Sequence, residues 1–324
     1  MAEILVTWPG FSEGGPATGA RLVAAGHRLR LRPKLGARAP EEVAEMARGC
    51  AAALVSTDPF PAGVLERLPD LRAIARVGVG TDSIDLAAAT ARGVAVTVTP
   101  GMNAVTVAEH ALALLLALLR RVVAQDAGVR AGRWERTGEH APVELAGRRV
   151  GLVGAGSIGR EVARRLAAFD AEVLYVDPAG ATLPGARRVA SLDALLPEVD
   201  ALSLHVPLLP GTRGLIDARA LALMRPGAFL VNTARGGIVD EEALFGALRE
   251  GRLAGAALDV FEAEPPEPSR LVGVPNLLVA AHMGGLSRES IARMTASATD
   301  SILRVLGGER PATVVNPDAL RAQA

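Results

Sequence analysis

The sequence predicts an α/β protein with two doubly wound parallel-sheet domains. Short apolar runs alternate along the chain with Ala- and Leu-rich amphipathic runs, which is typical of parallel strands joined by crossover helices. The chain has 324 residues, enough for two domains that each bury a core. A predicted strand, a glycine-rich turn and a predicted helix follow one another near its middle. We therefore expect two open sheets, each covered by helices.

The first part of the chain is typical of one doubly wound domain. Its predicted strands are residues 4–8, 29–31, 53–56, 72–77 and 94–98. A helix is predicted at 41–47, and a long one at 105–120. The second helix has almost no polar face, so we expect it to lie between packed layers as a connector between the domains.

A second series of strands predicts a second parallel sheet. Its predicted strands are residues 150–153, 173–177, 201–205, 229–233, 256–260 and 277–281. The segment that follows has apolar positions at helical spacing and should cross back to the first domain. We expect residues 1–99 and 287–324 to form one domain and residues 100–286 the other. The tail from residue 311 should be a surface strap or a frayed end.

Composition favours a small-molecule partner in a reducing compartment. Basic and acidic residues number 35 each, so no overall field draws the protein to nucleic acid or to an anionic membrane. Cys50 is the only cysteine, which excludes an internal disulfide and a thiolate metal cluster. The sequence shows no leader pattern, and its most apolar run is far shorter than the ~20 residues of a membrane helix. We expect a cytoplasmic protein without a metal.

A glycine motif predicts a dinucleotide site. The glycines lie in RRVGLVGAGSIGREVARRLAAFDAEVLYVD. Gly154 permits a tight turn, Gly156 lets the backbone approach a pyrophosphate, and Gly159 lets the helix pack against the strand. The helix N-terminus favours the phosphate charge. Because strand, glycines, helix, second strand and a terminal acid occur in order, the motif indicates more than a structural turn.

Asp177 ends the strand that follows the glycine motif. A carboxylate there accepts hydrogen bonds from ribose hydroxyls and repels a 2′-phosphate, so we expect NAD rather than NADP. Arg187 and Arg188 are the first arginines nearby and could soften this preference.

Several further segments carry a family resemblance. Polar residues follow predicted strands in NTARGGIVDEEAL, GAALDVFEAEPPEP and LLVAAHMGG, and the first half contains RVGVGTDSIDL and GMNAVTVAEHALALLLALLR. With these segments the chain resembles the D-isomer-specific 2-hydroxyacid dehydrogenases over essentially its whole length. The resemblance implies a Rossmann NAD-binding domain inserted into a flavodoxin-like substrate domain. It also implies an NAD-dependent oxidoreductase that interconverts a D-2-hydroxy acid and its 2-oxo acid.

The resemblance implies three catalytic residues. Arg235 matches the family's arginine, whose guanidinium fork suits a substrate carboxylate; a surface arginine is the alternative. His282 matches the acid/base histidine, since imidazole can give and take a proton near neutrality. Glu264 matches the glutamate that hydrogen-bonds this histidine and favours imidazolium. Glu262 is a neighbouring carboxylate, but the following Pro265 favours Glu264.

The implied ligand contacts extend beyond the catalytic residues. Asp259 matches the family residue beside the nicotinamide, while a buried strand-end Asp bonded to backbone N–H groups is the competing interpretation. The family's loop whose N–H groups meet the substrate carboxylate matches Val77, Gly78 and Val79. Arg235 and His282 are the other two expected substrate contacts. The predicted cofactor contacts are Gly154, Gly156, Ser157, Ile158, Gly159, Asp177, His205, Pro207, Thr233, Ala234 and Asp259.

Other polar residues are assigned to structure. Asn103, Glu109 and His110 share one helix and are more typical of a buried network and dimer packing than of a second site. His27, His140 and His205 have weaker claims to catalysis, His205 being near the expected nicotinamide pocket.

Alternative functions remain open. Formate dehydrogenase is a relative that carries Gln in place of the family's glutamate, and Glu264 argues against it. An NAD(H)-sensing corepressor-like protein on the same fold is the alternative from another class. Phosphoglycerate dehydrogenase is suggested by RVGVGTDSIDL, yet Ser56 stands where those enzymes commonly carry a phosphate-contacting arginine. We expect a homodimer, with residues 121–144, including Trp134, as its arm.

Overall fold

The chain folds into two compact units. The computed structural model describes residues 1–13, 16–34, 38–134, 136, 141–266 and 271–322. One unit consists of Met1–Asn103 with Gly285–Ala324, and the other is Ala104–Gly284. The second unit is therefore inserted in the chain between two segments of the first.

The first segment of the first unit alternates strands with helices. The strands are β1 (Glu3–Val6), β2 (Arg28–Leu31), β3 (Ala52–Val55), β4 (Ala73–Arg76) and β5 (Ala95–Thr97). The helices are α1 (Pro16–Ala24), α2 (Pro40–Ala47), α3 (Ala62–Glu66) and α4 (Leu86–Ala91). A 3-10 turn at Pro9–Phe11 follows β1.

The second unit repeats this alternation over a longer sheet. Its helices are α5 (Ala104–Leu119), α6 (Val122–Arg130), α7 (Ser157–Ala167), α8 (Leu192–Leu195), α9 (Ala218–Leu223) and α10 (Glu241–Arg249). Its strands are β6 (Arg149–Val153), β7 (Glu172–Val176), β8 (Arg187–Arg188), β9 (Ala201–Leu204), β10 (Ala228–Asn232), β11 (Leu253–Leu258) and β12 (Leu277–Val279).

The final segment returns to the first unit. Helix α11 (Arg288–Leu306) begins with a capping box between Ser287 and Ser290 and packs on β3 and β4. The tail is a strap along β5, because Val98 N–H donates to Thr313 O at 3.1 Å and Val315 N–H to Val96 O at 2.9 Å. A 3-10 helix at Pro317–Ala322 ends the described chain.

Both sheets are parallel, and the predicted fold class is confirmed. The sheet of the first unit has the order β2-β1-β3-β4-β5, the flavodoxin-like order. The sheet of the second unit has the order β12-β11-β10-β9-β6-β7-β8. Counted from β6 this is the Rossmann order with one added strand. In such sheets, ligands bind outside the carboxyl ends of the strands, where the strand order reverses.

Each sheet is covered on both faces, as side-chain alternation along its strands requires. In β1, Leu5 packs with residues of α2 and α3, while Ile4 packs with residues of α11. In β6, Leu152 packs with residues of α5 and α7, while Val153 packs with residues of α9 and α10. The apolar helix α5 belongs to the second unit and packs on α7, β10 and β11.

Strand and helix ends differ from the predictions by a few residues. The predicted first strand reached Trp8, but β1 ends at Val6 because Pro9 starts the 3-10 turn. The short edge strand β8 was not predicted, since two arginines carry no apolar alternation. Part of the predicted arm is the helix α6. Residues 135 and 137–140 of that arm lie outside the described residues.

Candidate active site

The glycine turn after β6 has the geometry that each of its glycines permits. Gly154 has φ +103°, and a Cβ there would lie 2.6 Å from His205 O. A Cβ on Gly159 would lie 2.2 Å from Gly154 O, so the helix can pack this closely only without a side chain. A Cβ on Gly156 would meet no atom of the described residues within 4 Å. Space for a ligand is therefore open beside Gly156.

The start of α7 exposes its first turn. Gly156 is the N-cap of this helix, and both it and Ser157 are exposed, while Ile158 is half-buried. The first turn of a helix leaves N–H groups without intrahelical acceptors. An exposed first turn with the positive end of the helix dipole suits a phosphate.

Asp177 follows β7 at the same edge of the sheet. Its Oδ2 accepts a hydrogen bond from Ala155 N–H at 2.6 Å, and its Oδ1 accepts one from Ala181 N–H at 3.2 Å. Burial alone would raise the pKa of this carboxyl, but backbone N–H donors outweigh it and hold the pKa below the ordinary value. Asp177 is therefore a fixed carboxylate beside the glycine turn.

The two arginines near Asp177 have different surroundings. Arg187 pairs with Glu198 and lies 3.9 Å from Glu172. Arg188 donates to Asp177 O at 3.3 Å. Of these two, Arg188 is the arginine beside the predicted ribose position.

Two buried side-chain atoms, one just after β9 and one just after β10, have no hydrogen-bond partner among the described residues. Among the described residues, Thr233 Oγ1 and His205 Nδ1 have no hydrogen-bond partner. His205 Nε2 lies 3.0 Å from Ser203 Oγ, and burial lowers the pKa of His205 to about 4. His205 is therefore neutral near pH 7. Unpaired buried polar atoms are costly, so this region suits a polar ligand.

The loop that follows β10 is braced by Asn232. The Asn232 side chain donates to Arg235 O at 2.8 Å and accepts from Ala234 N–H at 3.0 Å. A Cβ on Gly236 would lie 1.9 Å from Phe261 O, so only glycine permits this approach. The loop holds Arg235 at the carboxyl end of the sheet, where its guanidinium donates to Ala234 O at 2.7 Å. Pro207, after β9, is exposed.

His282 and Glu264 form a direct pair. His282 Nδ1 lies 2.7 Å from Glu264 Oε2, and both side chains are 35% exposed. Glu264 Oε1 accepts from Phe261 N–H at 3.1 Å. Burial raises the pKa of Glu264, but the hydrogen bond and charge of His282, with smaller effects from Phe261 N–H and Arg235, lower it below the ordinary value. Arg235 is thus within electrostatic reach of this pair.

Asp259 holds the backbone around His282. Its side chain is 1% exposed, and its two oxygens accept hydrogen bonds from Met283 N–H and Gly284 N–H, each at 2.8 Å. Asp259 O accepts from His282 N–H, also at 2.8 Å. These contacts are those of the competing interpretation, a strand-end Asp bonded to backbone. Its contact with a nicotinamide stays a prediction.

The predicted substrate loop of the first unit is already hydrogen-bonded within that unit. Val77 N–H donates to Val55 O at 2.8 Å, and Gly78 N–H donates to Thr99 Oγ1 at 2.8 Å. Val79 is exposed. The N–H groups of Val77 and Gly78 therefore already have acceptors. Of the three predicted residues, Val79 is the one that we keep as a contact of a substrate carboxylate.

Sequence reasoning missed two bracing residues. One is Asn232, described above. The other is Glu241, at the start of α10, whose Oε1 accepts from Glu262 N–H at 2.7 Å and so supports the loop that carries Glu264. The signal for Asn232 was its place at the end of a buried strand, before Arg235. Glu241 had no local signal, because the residue it supports is distant in sequence.

The described residues contain no group of three or more His, Cys, Asp or Glu side chains placed to hold a metal ion. Within the same residues, no helix has the length and apolarity needed to cross a membrane. His140 lies outside the described residues.

Comparisons with known proteins identify the family. Residues 112–284 match the model of the D-isomer specific 2-hydroxyacid dehydrogenase, NAD binding domain. The chain is 42% identical over 290 residues to D-3-phosphoglycerate dehydrogenase of Mycobacterium leprae, which covers 89% of this chain but 53% of that protein. The chain thus spans about half the length of this relative.

Two further proteins match over most of both chains. Glyoxylate reductase of Thermofilum pendens is 41% identical over 280 residues, covering 82% of this chain and 81% of that protein. The crystal structure of TT0316 protein from Thermus thermophilus has a TM-score of 0.88 and 38% identity, covering 97% of this chain and 99% of that one. The chain therefore belongs to the D-isomer specific 2-hydroxyacid dehydrogenase family, and residues 112–284 are its NAD-binding domain.

Proposed function

We propose that this protein is an NAD-dependent oxidoreductase that interconverts a D-2-hydroxy acid and its 2-oxo acid. The observation that carries the proposal is the pair of His282 Nδ1 and Glu264 Oε2 at 2.7 Å, in the same unit as the glycine turn. Family membership supports the same reaction class.

His282 is the acid/base group of the proposal. A carboxylate accepts hydrogen bonds, so its contact with Nδ1 implies that Nδ1 carries a proton. Nε2 is then the atom that gives a proton to the substrate oxygen during reduction and takes it back during oxidation. The ionised Glu264 accepts the hydrogen bond of this Nδ1 proton and fixes the orientation of the imidazole.

Arg235 is the carboxylate-binding group of the proposal. Its guanidinium can hold a substrate carboxylate through two parallel hydrogen bonds and stabilise negative charge on the adjacent oxygen. The braced loop after β10 limits its movement. In the first unit, we assign the substrate contact to Val79, because the N–H groups of Val77 and Gly78 already have acceptors within that unit.

The second unit fits a dinucleotide. The open space beside Gly156, the exposed start of α7 and the fixed carboxylate of Asp177 suit a pyrophosphate and an unphosphorylated ribose. The buried Thr233 Oγ1 and His205 Nδ1 suit polar groups nearer the nicotinamide. When bound, the nicotinamide supplies or accepts the hydride. Asp177 makes NAD the expected cofactor rather than NADP.

A panel of 2-oxo acids assayed with NADH and NADPH tests the proposal. We expect steady loss of absorbance from NADH with at least one 2-oxo acid, and slower loss from NADPH. A protein that binds NADH yet turns over no member of the panel, and captures a protein partner only with cofactor, would support the sensor instead.

The same panel addresses the substrate. The two named relatives act on different acids, as their names state, so homology leaves phosphorylated and unphosphorylated substrates open. Ser56 lacks the charge to bind a phosphate strongly. We expect higher kcat/KM with glyoxylate or hydroxypyruvate than with phosphohydroxypyruvate, and the opposite ranking would identify a phosphoglycerate dehydrogenase.

We also propose a homodimer. The second unit carries a groove of about 1980 Å³ that α5, α6 and the segment before β6 help to line. Beside it, α6 exposes Val122, Val123 and Val129, and the following Trp134 is 76% exposed. Exposed apolar side chains of this kind are typical of an interface. Sedimentation should give twice the mass of the 33.4 kDa chain, and a single-chain mass would reject the dimer.

A cytoplasmic location completes the proposal. The free Cys50 is buried, which suits a reducing compartment without requiring one. Fractionation of the producing cells would test this location.

A further inference from the structure

The turn that carries His282 has an unusual backbone. His282 has φ +53°, in the left-handed region that residues other than glycine rarely adopt. Such a conformation persists only where its surroundings hold it in place. The orientation of the imidazole therefore depends on whatever fixes this turn.

Asp259 supplies this restraint through three consecutive N–H groups. His282 N–H donates to Asp259 O, while Met283 N–H and Gly284 N–H donate to Oδ1 and Oδ2, all at 2.8 Å. Consecutive backbone N–H groups around a left-handed residue form an anion-binding concavity. Here the anion is a side chain of the protein. Two of the three N–H groups therefore depend on the orientation of this carboxylate.

His110 is the side chain that approaches this carboxylate from α5. Its Nε2 lies 3.3 Å from Asp259 Oδ1, and its side chain is 25% exposed. A Cβ on Gly284 would lie 3.3 Å from His110 Cδ2, so the ring also packs against the turn itself. The contact is close but is not an aligned hydrogen bond, and in the described chain Nε2 has no other acceptor. A lone pair on Nε2 would repel a carboxylate oxygen at this distance, so the favourable arrangement has an N–H on Nε2 facing Oδ1.

We propose that His110 is a positioning residue that acts on His282 through Asp259. By facing Oδ1 with an N–H group, it keeps the carboxylate plane directed at Met283 N–H and Gly284 N–H. This gives a specific role to His110, which the sequence assigned to structure and dimer packing. The inference rests on the proposed function for its kinetic consequence, but its structural consequence does not depend on turnover.

Three variants test the inference. His110→Leu removes the N–H and keeps comparable bulk, whereas His110→Gln restores an N–H donor on a similar reach. Glu109→Gln is the matched control, because Glu109 is the adjacent residue of α5, is 64% exposed and pairs with Arg165 instead. None of these changes alters Arg235, Glu264 or His282.

Amide hydrogen exchange is the readout that needs no activity. We expect His110→Leu to accelerate exchange of Met283 N–H and Gly284 N–H at least tenfold, and His110→Gln to restore most of the protection. Equal exchange in His110→Leu and wild type would overturn the inference. Equal acceleration in the Leu and Gln variants would also overturn it, since the role would then be packing alone.

Kinetics give the second readout. We expect His110→Leu to lower kcat at least tenfold while the Kd of NADH, measured by fluorescence, changes less than twofold. A large rise in this Kd with unchanged kcat would instead make His110 a cofactor contact and reject the positioning role. If wild type oxidises no NADH, the proposed function fails, and the exchange experiment still decides the inference.

Discussion

The glycine turn and the histidine turn solve the same problem in different ways. Each follows a strand of the second unit, and each places a residue at positive φ: Gly154 at +103° and His282 at +53°. Glycine adopts this region without a steric penalty, so the first turn is stable by its own composition. Histidine does not, so the second turn depends on Asp259 for its shape.

The comparison shows where each turn is vulnerable. The glycine turn fails when a side chain is added at Gly154 or Gly159, because a Cβ on Gly154 would clash with His205 O and a Cβ on Gly159 with Gly154 O. The histidine turn fails when the Asp259 carboxylate is removed or displaced, because this carboxylate, distant in sequence but in direct contact, holds the turn. Substitutions at and around the two turns separate these two kinds of failure.

The largest effect is expected from His282→Asn. Asparagine tolerates positive φ, so the turn should survive while the acid/base group is lost. We expect kcat to fall by about 10²–10⁴-fold, with the Kd of NADH unchanged, measured by steady-state kinetics and by fluorescence. Near-normal turnover would remove His282 from its proposed role. His282→Ala should lose the same activity and, in addition, unfold at lower temperature.

Arg235→Lys is a control that touches neither turn. Lysine keeps the charge but cannot form the two parallel hydrogen bonds of a guanidinium. We expect kcat/KM for the 2-oxo acid to fall roughly 100-fold, as expected for about 2–3 kcal/mol of lost transition-state interaction. The amide exchange of Met283 and Gly284 should stay as in wild type. Faster exchange there would mean that Arg235 also supports the histidine turn.

Two alanine substitutions sharpen the comparison on the glycine side. Gly154→Ala imposes a strained φ and a clash with His205 O, so the free energy of unfolding should fall by about 1–3 kcal/mol. Gly156→Ala should lower this free energy by less than about 1 kcal/mol, since its Cβ position is open among the described residues and the only cost is that alanine is a poorer N-cap than glycine. It should raise the Kd of NADH about tenfold by filling space at the phosphates. Urea unfolding and fluorescence titration measure the two quantities, and tight NADH binding by Gly156→Ala would place the cofactor elsewhere.

The smallest effect is expected from Glu264→Gln on stability. The folded pKa of Glu264 is lowered, so its carboxylate contributes stability that is present above the ordinary value of about 4.3. That contribution is lost as pH falls through the lowered folded pKa. Because the pair is partly exposed, we expect Glu264→Gln to be less stable by no more than about 1 kcal/mol at pH 7. The difference in stability between the variant and wild type should vanish in acid. Urea unfolding at several pH values measures this difference. A difference that does not change with pH would contradict an origin in the charge of Glu264.

Local patterns predicted the fold class and the position of the glycine turn after β6. Parallel strands, glycine spacing and the acid at Asp177 are set by neighbours in sequence, so periodicity and motif were sufficient for them. The pair of His282 and Glu264 came from the family resemblance, and the structure brings these two side chains together. Short β8 and helix α6 were missed because neither has a strong apolar period.

The sequence by itself determined two parallel sheets, a turn that only glycine can form, and the residue types that can bind a carboxylate and move a proton. Tertiary structure alone decided which other groups hold the reacting side chains in position. Asp259 and Glu241 act on loops that other strands contribute, and His110 reaches Asp259 from a helix far earlier in the chain. The physical reason is that a hydrogen bond requires two groups at a fixed distance, and residue spacing in a chain does not set that distance until the sheet has formed.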